Sequence, residues 1–87
     1  MRKVRVVGYN GNYEAMVTRN KVYIYRTEAD PPSQTLIATI TKGHIEVHDD
    51  KYYYDEQSVT YHVDGEEYMN YMVYDENDNP IIEAMIR

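Results

Sequence analysis

The chain has 87 residues, a formal net charge of −6, and no cysteine, tryptophan or phenylalanine. That length supports one domain, residues 1–87, which must hold together without disulfides or thiolate metal sites. No apolar run reaches the length of a membrane-spanning helix, the N-terminal MRKVRVVGYNG lacks the apolar stretch of a secretory signal, and a cytoplasmic location is the expectation.

In chain order, the first element is RKVRVVG, where Val4 and Val6 share a face and Lys3 and Arg5 take the other. YNGN, with Asn10-Gly11 as a hairpin signal, joins it to NYEAMVT. Arg19-Asn20 then turns the chain into KVYIYR, where Val22 and Ile24 alternate with Tyr23 and Tyr25, so a three-stranded meander is predicted. TEADPPSQ reads as a loop between two halves, because consecutive prolines are excluded from central strands. TLIATIT and HIEVH face each other across Lys42-Gly43, with Leu36, Ala38 and Ile40 on one side and Ile45 and Val47 beside them.

DDKYYYDEQ fits a loop, a bulged strand or a sheet edge. SVTYHV and EEYMNYMVY flank the hairpin signal Asp64-Gly65, and Tyr61 falls in phase with Val59 and Val63 as a core position. EYMNYMVY also matches helical spacing at Tyr68, Tyr71 and Met72, but its flanking turns leave room for only about two helical turns, too few for a stable helix. DENDNP turns the chain into IIEAMIR, with Ile82, Ala84 and Ile86 on one face. Sixteen valines and isoleucines against one leucine, Leu36, agree with this pattern, since β-branched side chains suit a pleated sheet. The prediction is an all-β antiparallel sandwich or barrel of about seven short strands, built from two meanders arranged alike.

Charge divides along the chain. Residues 1–42 carry seven Lys and Arg against three Asp and Glu; residues 43–87 carry two against twelve. Within residues 49–78, ten carboxylates and seven tyrosines interleave with one lysine. Asp64, Asp75 and Asp78 suit local turn chemistry. The remainder exceeds what turns require. A tyrosine ring tolerates water when free and supplies contact area when bound, so rings beside carboxylates form a surface suited to a basic partner. Of three successive tyrosines in an extended chain, at least one must face outward. The expected partner-binding residues are Asp49, Asp50, Tyr52, Tyr53, Tyr54, Asp55, Glu56, Glu66 and Glu67, the acids standing in for phosphates and the rings serving as anchors. Direct nucleic-acid binding is opposed by charge.

Chemistry-bearing alternatives are thinner. His44, Glu46, His48 and Asp50 share a strand face, yet His44 and His48 would stand about 13 Å apart at roughly 3.3 Å per residue, too far for one ion unless the strand bends sharply, which leaves His44 with Glu46, assisted by His62, as the alternative set. Ser33 and Ser58 lack a nucleophile-elbow setting, and the four glycines read as turn residues, so no metal, cofactor or catalytic residue is expected. Arg19, Tyr23, Tyr25 and Arg26 form a second candidate, in which a ring stacks on a nucleotide base and an arginine meets its phosphate. A third option is a self-assembling structural or virion subunit paired through strand edges. The acidic, tyrosine-rich composition is similar in overall character to small phage-encoded inhibitors that imitate DNA. That likeness implies a non-enzymatic inhibitor occupying a basic, nucleic-acid-binding site on a larger protein, in an anti-defence role.

Overall fold

The computed structural model describes residues 4–19, 21–29, 32–60 and 65–87, with Val59 described by its backbone alone. Eight strands follow in order: β1 Val4–Gly8, β2 Tyr13–Val17, β3 Val22–Ala29, β4 Pro32–Thr41, β5 His44–Val47, β6 Tyr53–Thr60, β7 Glu67–Tyr74 and β8 Pro80–Ile86. They form two antiparallel four-stranded sheets, β1-β8-β7-β6 and β2-β3-β4-β5, packed face to face as a sandwich. The strand count is eight where about seven were expected. The core takes one row of alternating side chains from each sheet. Val22, Ile24 and Ile40 of the second sheet meet Tyr71, Val73, Ile82, Ala84 and Ile86 of the first. All seven isoleucines lie in this core. Each fully buried aliphatic side chain contributes about 1.5–3 kcal/mol by leaving water.

The two meanders are arranged alike; the C-terminal one, β6-β7-β8, has its predicted order, and the N-terminal one differs in membership. β1 does not pair with β2. It leaves at the Asn10-Gly11 turn, where the Asn10 side chain accepts the Asn12 N–H at 3.0 Å, and closes the opposite sheet through Val4↔Ile86 and Val6↔Ala84. A local turn signal cannot distinguish a turn within a sheet from one that crosses between sheets. Each sheet is therefore a consecutive trio, β2-β3-β4 or β6-β7-β8, completed by β5 or β1.

Each trio carries a bulge at the same place. Ile24 pairs with Ala38 and Tyr25 with Leu36, which leaves Ile37 as an extra residue. Val73 pairs with Ile82 and Tyr74 with Pro80, which leaves Ile81 extra. A bulge shifts alternation by one residue, so Ile37 and Ala38 are both buried, as are Ile81 and Ile82. Leu36 consequently turns to the outer face and is half-buried, contrary to its expected place beside Ala38 and Ile40.

The Pro-Pro segment is also corrected. β3 and β4 stay paired as far as Ala29↔Pro32, so most of the expected loop is a two-stranded ribbon. Pro32 is accommodated at the first residue of its strand, and the exposed side chains of Glu28, Ala29 and Pro32 to Thr35 bury no core. EYMNYMVY is a strand, as expected, and DDKYYYDEQ divides into a turn followed by the edge strand β6. Tyr61, His62 and Asp64 lie outside the described residues.

One tyrosine ties the layers together. Tyr71 is fully buried, and its hydroxyl accepts the Gly43 N–H at 2.6 Å from the turn between β4 and β5. Gly43 has φ +84, a left-handed conformation that glycine adopts without strain. Tyr71→Phe would leave that N–H without its protein acceptor, an expected cost of about 1 kcal/mol in urea unfolding.

Candidate functional site

The expected partner-binding residues are strung along β6 and its two ends. β6 is an edge strand: it pairs only with β7, in unbroken register from Tyr53↔Tyr74 to Thr60↔Glu67. Pleating sends Tyr53, Asp55 and Gln57 to the outer face, and Tyr54, Glu56 and Ser58 to the inner one. All six are exposed, because the inner row runs past the cover provided by the other sheet.

The three tyrosines separate. Tyr53 and Tyr54 are each 42% exposed, whereas Tyr52 is 7% exposed and belongs to the core. The Tyr52 hydroxyl lies 3.0 Å from that of Tyr13 and accepts from Arg26 Nη1 at 3.3 Å. Its ring meets Tyr13 edge-on at 6.0 Å. Tyr52 is therefore a joint between the sheets and offers no ring to a partner.

Across the outer face of the β1-β8-β7-β6 sheet, register builds one informative row. Asp55 pairs with Met72, Met72 with Glu83, and Glu83 with Val7. Two carboxylates thus stand two strands apart, about 10 Å at Cα, with a thioether between them. Asp55, Gln57, Asn70, Met72, Tyr74 and Glu83 line a depression of about 230 Å³.

Phenols hold the carboxylates. Tyr9 donates to Glu83 Oε1 at 3.2 Å and Tyr53 to Asp78 Oδ1, while burial and the neighbouring Asp55 carboxylate push the Tyr74 phenol up. Asn70 Nδ2 adds a bond to Glu83 Oε2 at 3.1 Å, while Asn70 Oδ1 is enclosed with no hydrogen-bond partner. Tyr53 and Tyr74 stack with centroids 5.0 Å apart and planes 16° from parallel. Tyr9 and Tyr53 each order a carboxylate without neutralising it, and the stacked rings of Tyr53 and Tyr74 present apolar area beside the charge.

The other acids differ in their commitments. Asp49 Oδ1 accepts the Lys51 N–H at 3.0 Å, and Asp50 is exposed in the same turn. Glu66 pairs with Arg87 at 2.6 Å, and Glu67 accepts the Ser58 hydroxyl at 2.6 Å. Among the described residues, no lysine or arginine forms an ion pair with Asp49, Asp50, Asp55, Glu56 or Glu67. Asp75 has local duties, as expected: its Oδ1 accepts the N–H groups of Asn77 at 2.9 Å and Asn79 at 3.0 Å. Sequence reasoning missed Glu83, Asn70 and Tyr74 as members of the site. Their only signal was strand phase, which becomes useful once the pairing of β6, β7 and β8 is known.

The second candidate set is not brought together. Tyr23 and Tyr25 are half-buried on the outer face of the other sheet, while Arg26, one residue on, points to the opposite face at Tyr52. Arg19 is exposed near the turn after β2. Arg26 instead joins Tyr13, Lys51, Tyr52, Asp75 and Glu76 around a cleft of about 160 Å³. Of the strand-face metal set, His48 Nδ1 lies 4.0 Å from Glu46 Oε1 while its Nε2 bonds Thr39 at 2.9 Å, and no metal-binding group of three occurs among the described residues.

These bonds carry a pH signature at both ends. The Tyr53 phenol is pushed up from 10.0 to about 12, chiefly by its hydrogen bond to Asp78. Tyr13 is also raised, first by burial and then by the bond to Tyr52. Because folding raises these values, the stability they contribute is whole below pH 10 and is lost as pH climbs through each folded value. Asp75 is held low, mainly by the Asn79 N–H; its contribution is lost as pH falls through that depressed value. Thermal melts monitored by circular dichroism above pH 10 are expected to fall, and to fall less steeply for Tyr13→Phe.

No family model, curated protein or solved structure matches the chain.

Proposed function

We propose that the protein is a non-enzymatic binding protein whose outer β1-β8-β7-β6 face and β6 edge occupy a basic site on a larger protein. A nucleic-acid-binding enzyme is the partner class this chemistry suits, and inhibition by imitation of a phosphate-bearing strand is the mechanism. The supporting observation is the Asp55–Met72–Glu83 row, with Glu83 held by the Tyr9 phenol, Asp55 beside the Tyr74 phenol, and neither carboxylate ion-paired to a lysine or arginine among the described residues. Phenol-held carboxylates lose little further side-chain freedom when a cation docks, and their charge steers the encounter. The Tyr53–Tyr74 stack provides rigid contact area at low entropic cost.

The test is capture of a partner on the immobilised protein at low salt, release by raised salt, and competition of that purified partner against labelled DNA. The expected result is displacement of the DNA by this chain and weaker displacement by Glu83→Gln. A partner whose DNA binding is unaffected would overturn the inhibitory reading.

A further inference from the structure

We infer that β6 takes its partner by strand addition: an extended segment bearing basic residues hydrogen-bonds along the free edge from Tyr53 to Thr60. This rests on the binding reading above and specifies its mode. The sandwich has four sheet edges, β1, β2, β5 and β6, of 5, 5, 4 and 8 residues. β1 and β2 lie in contact with each other, whereas β5 and β6 have no comparable contact. β6 is therefore the longest edge and borders the open flank.

Edge strands in monomers are commonly blunted by charged side chains, proline, a bulge or a covering segment. Between Tyr53 and Thr60 there is no proline, lysine or glycine, and the register with β7 is unbroken; the guard on this edge is the acid pair Asp55 and Glu56, which repels an acidic strand and admits a basic one. Alternate residues of such a strand direct N–H and C=O away from their neighbour, leaving a ladder ready for another chain. Six successive side chains, Tyr53 to Ser58, are exposed across both faces, so an added strand would find room above and below.

Charge selects the occupant. Asp55 projects to one face and Glu56 to the other, and neither forms an ion pair with a lysine or arginine among the described residues. A second copy paired along β6 would crowd the Asp55 and Glu56 carboxylates of both chains into one seam, and like charges across strands destabilise pairing. A segment with adjacent basic residues would place one cation on each face, opposite each acid.

The probe is a synthetic peptide, Thr-Val-Thr-Lys-Arg-Val-Thr-Val, compared with the same sequence methylated at every backbone nitrogen. Binding is measured by calorimetry and by amide hydrogen exchange of this chain. The unmethylated peptide is expected to bind at least about tenfold more tightly than the methylated one, and alternate amides within β6 are expected to gain protection. Equal binding of both peptides, no binding of either, or binding without β6 protection would overturn strand addition. The reading of an acidic binding face fails separately: it falls if Asp55→Asn with Glu56→Gln binds the unmethylated peptide as well as the parent does. Gln57→Pro and Ser58→Pro supply an independent check, because one of these neighbouring N–H groups points to β7 and the other away. The variant that keeps the parent melting temperature is expected to lose the peptide; its retention would also overturn the proposal.

Discussion

Replacing Asp49, Asp50 and Asp55 by asparagine and Glu56 by glutamine together is expected to leave the fold intact and to remove most partner binding. Asparagine keeps a side-chain oxygen for the Lys51 N–H, so the turn survives. None of the four residues is buried, and the melting temperature should move by no more than a few degrees, the usual reach of surface substitutions. The loss falls on association. Electrostatic steering can raise association rates from about 10⁶ toward 10⁸ M⁻¹s⁻¹ at low salt. Removal of the charge should therefore slow association roughly 10- to 100-fold, measured by surface plasmon resonance. Because the Debye length shrinks to about 3 Å at 1 M salt, parent and variant should converge there. Glu14→Gln with Glu46→Gln, on the other sheet, is the control for net charge. An equal loss from that pair would mean that the β6 surface has no special role.

The largest effect on stability is expected at the two bulges. Ile37→Ala and Ile81→Ala should each cost about 2–5 kcal/mol in chemical denaturation, the range for removing a large aliphatic side chain from a close-packed core. For a domain of this size that is a sizeable share of a total of roughly 5–15 kcal/mol. Leu36→Ala, one residue away, should cost only about 1 kcal/mol because Leu36 is half-buried on the outer face. The contrast between Leu36 and Ile37 tests the register shift directly. A larger cost at Leu36 would mean that β4 alternates without interruption and that the bulge is wrong.

These cases mark where local reading succeeds. Val22 and Ile24 in β3, and Ile82, Ala84 and Ile86 in β8, were assigned to one face by period-two alternation, and all are buried. Alternation is local, requiring only that successive side chains point in opposite directions. Gly43 was legible as a turn residue, and its left-handed φ bears that out. Leu36 and Ile37 show the limit. Either residue could face inward on hydrophobicity alone, and the choice belongs to the pairing with Tyr25 across the sheet. Tyr52 and Tyr53 show it again. Their positions differ by one residue in the same acidic run, yet one meets Tyr13 and Arg26 inside and the other stacks on Tyr74 outside.

The sequence by itself determined the class of this protein. Its β-branched content, strict alternation and turn residues, with too few consecutive helical positions and no cysteine, leave a small antiparallel β sandwich or barrel whose C-terminal half is strongly acidic. The tertiary structure alone decided that β1 crosses to pair with β8, that Ile37 and Ile81 enter the core, and that Glu83 comes into line with Asp55 over Met72. The reason is that alternation constrains each strand only relative to itself. Which strands become neighbours, and with what offset, depends on burying both sheets' apolar rows against each other at once.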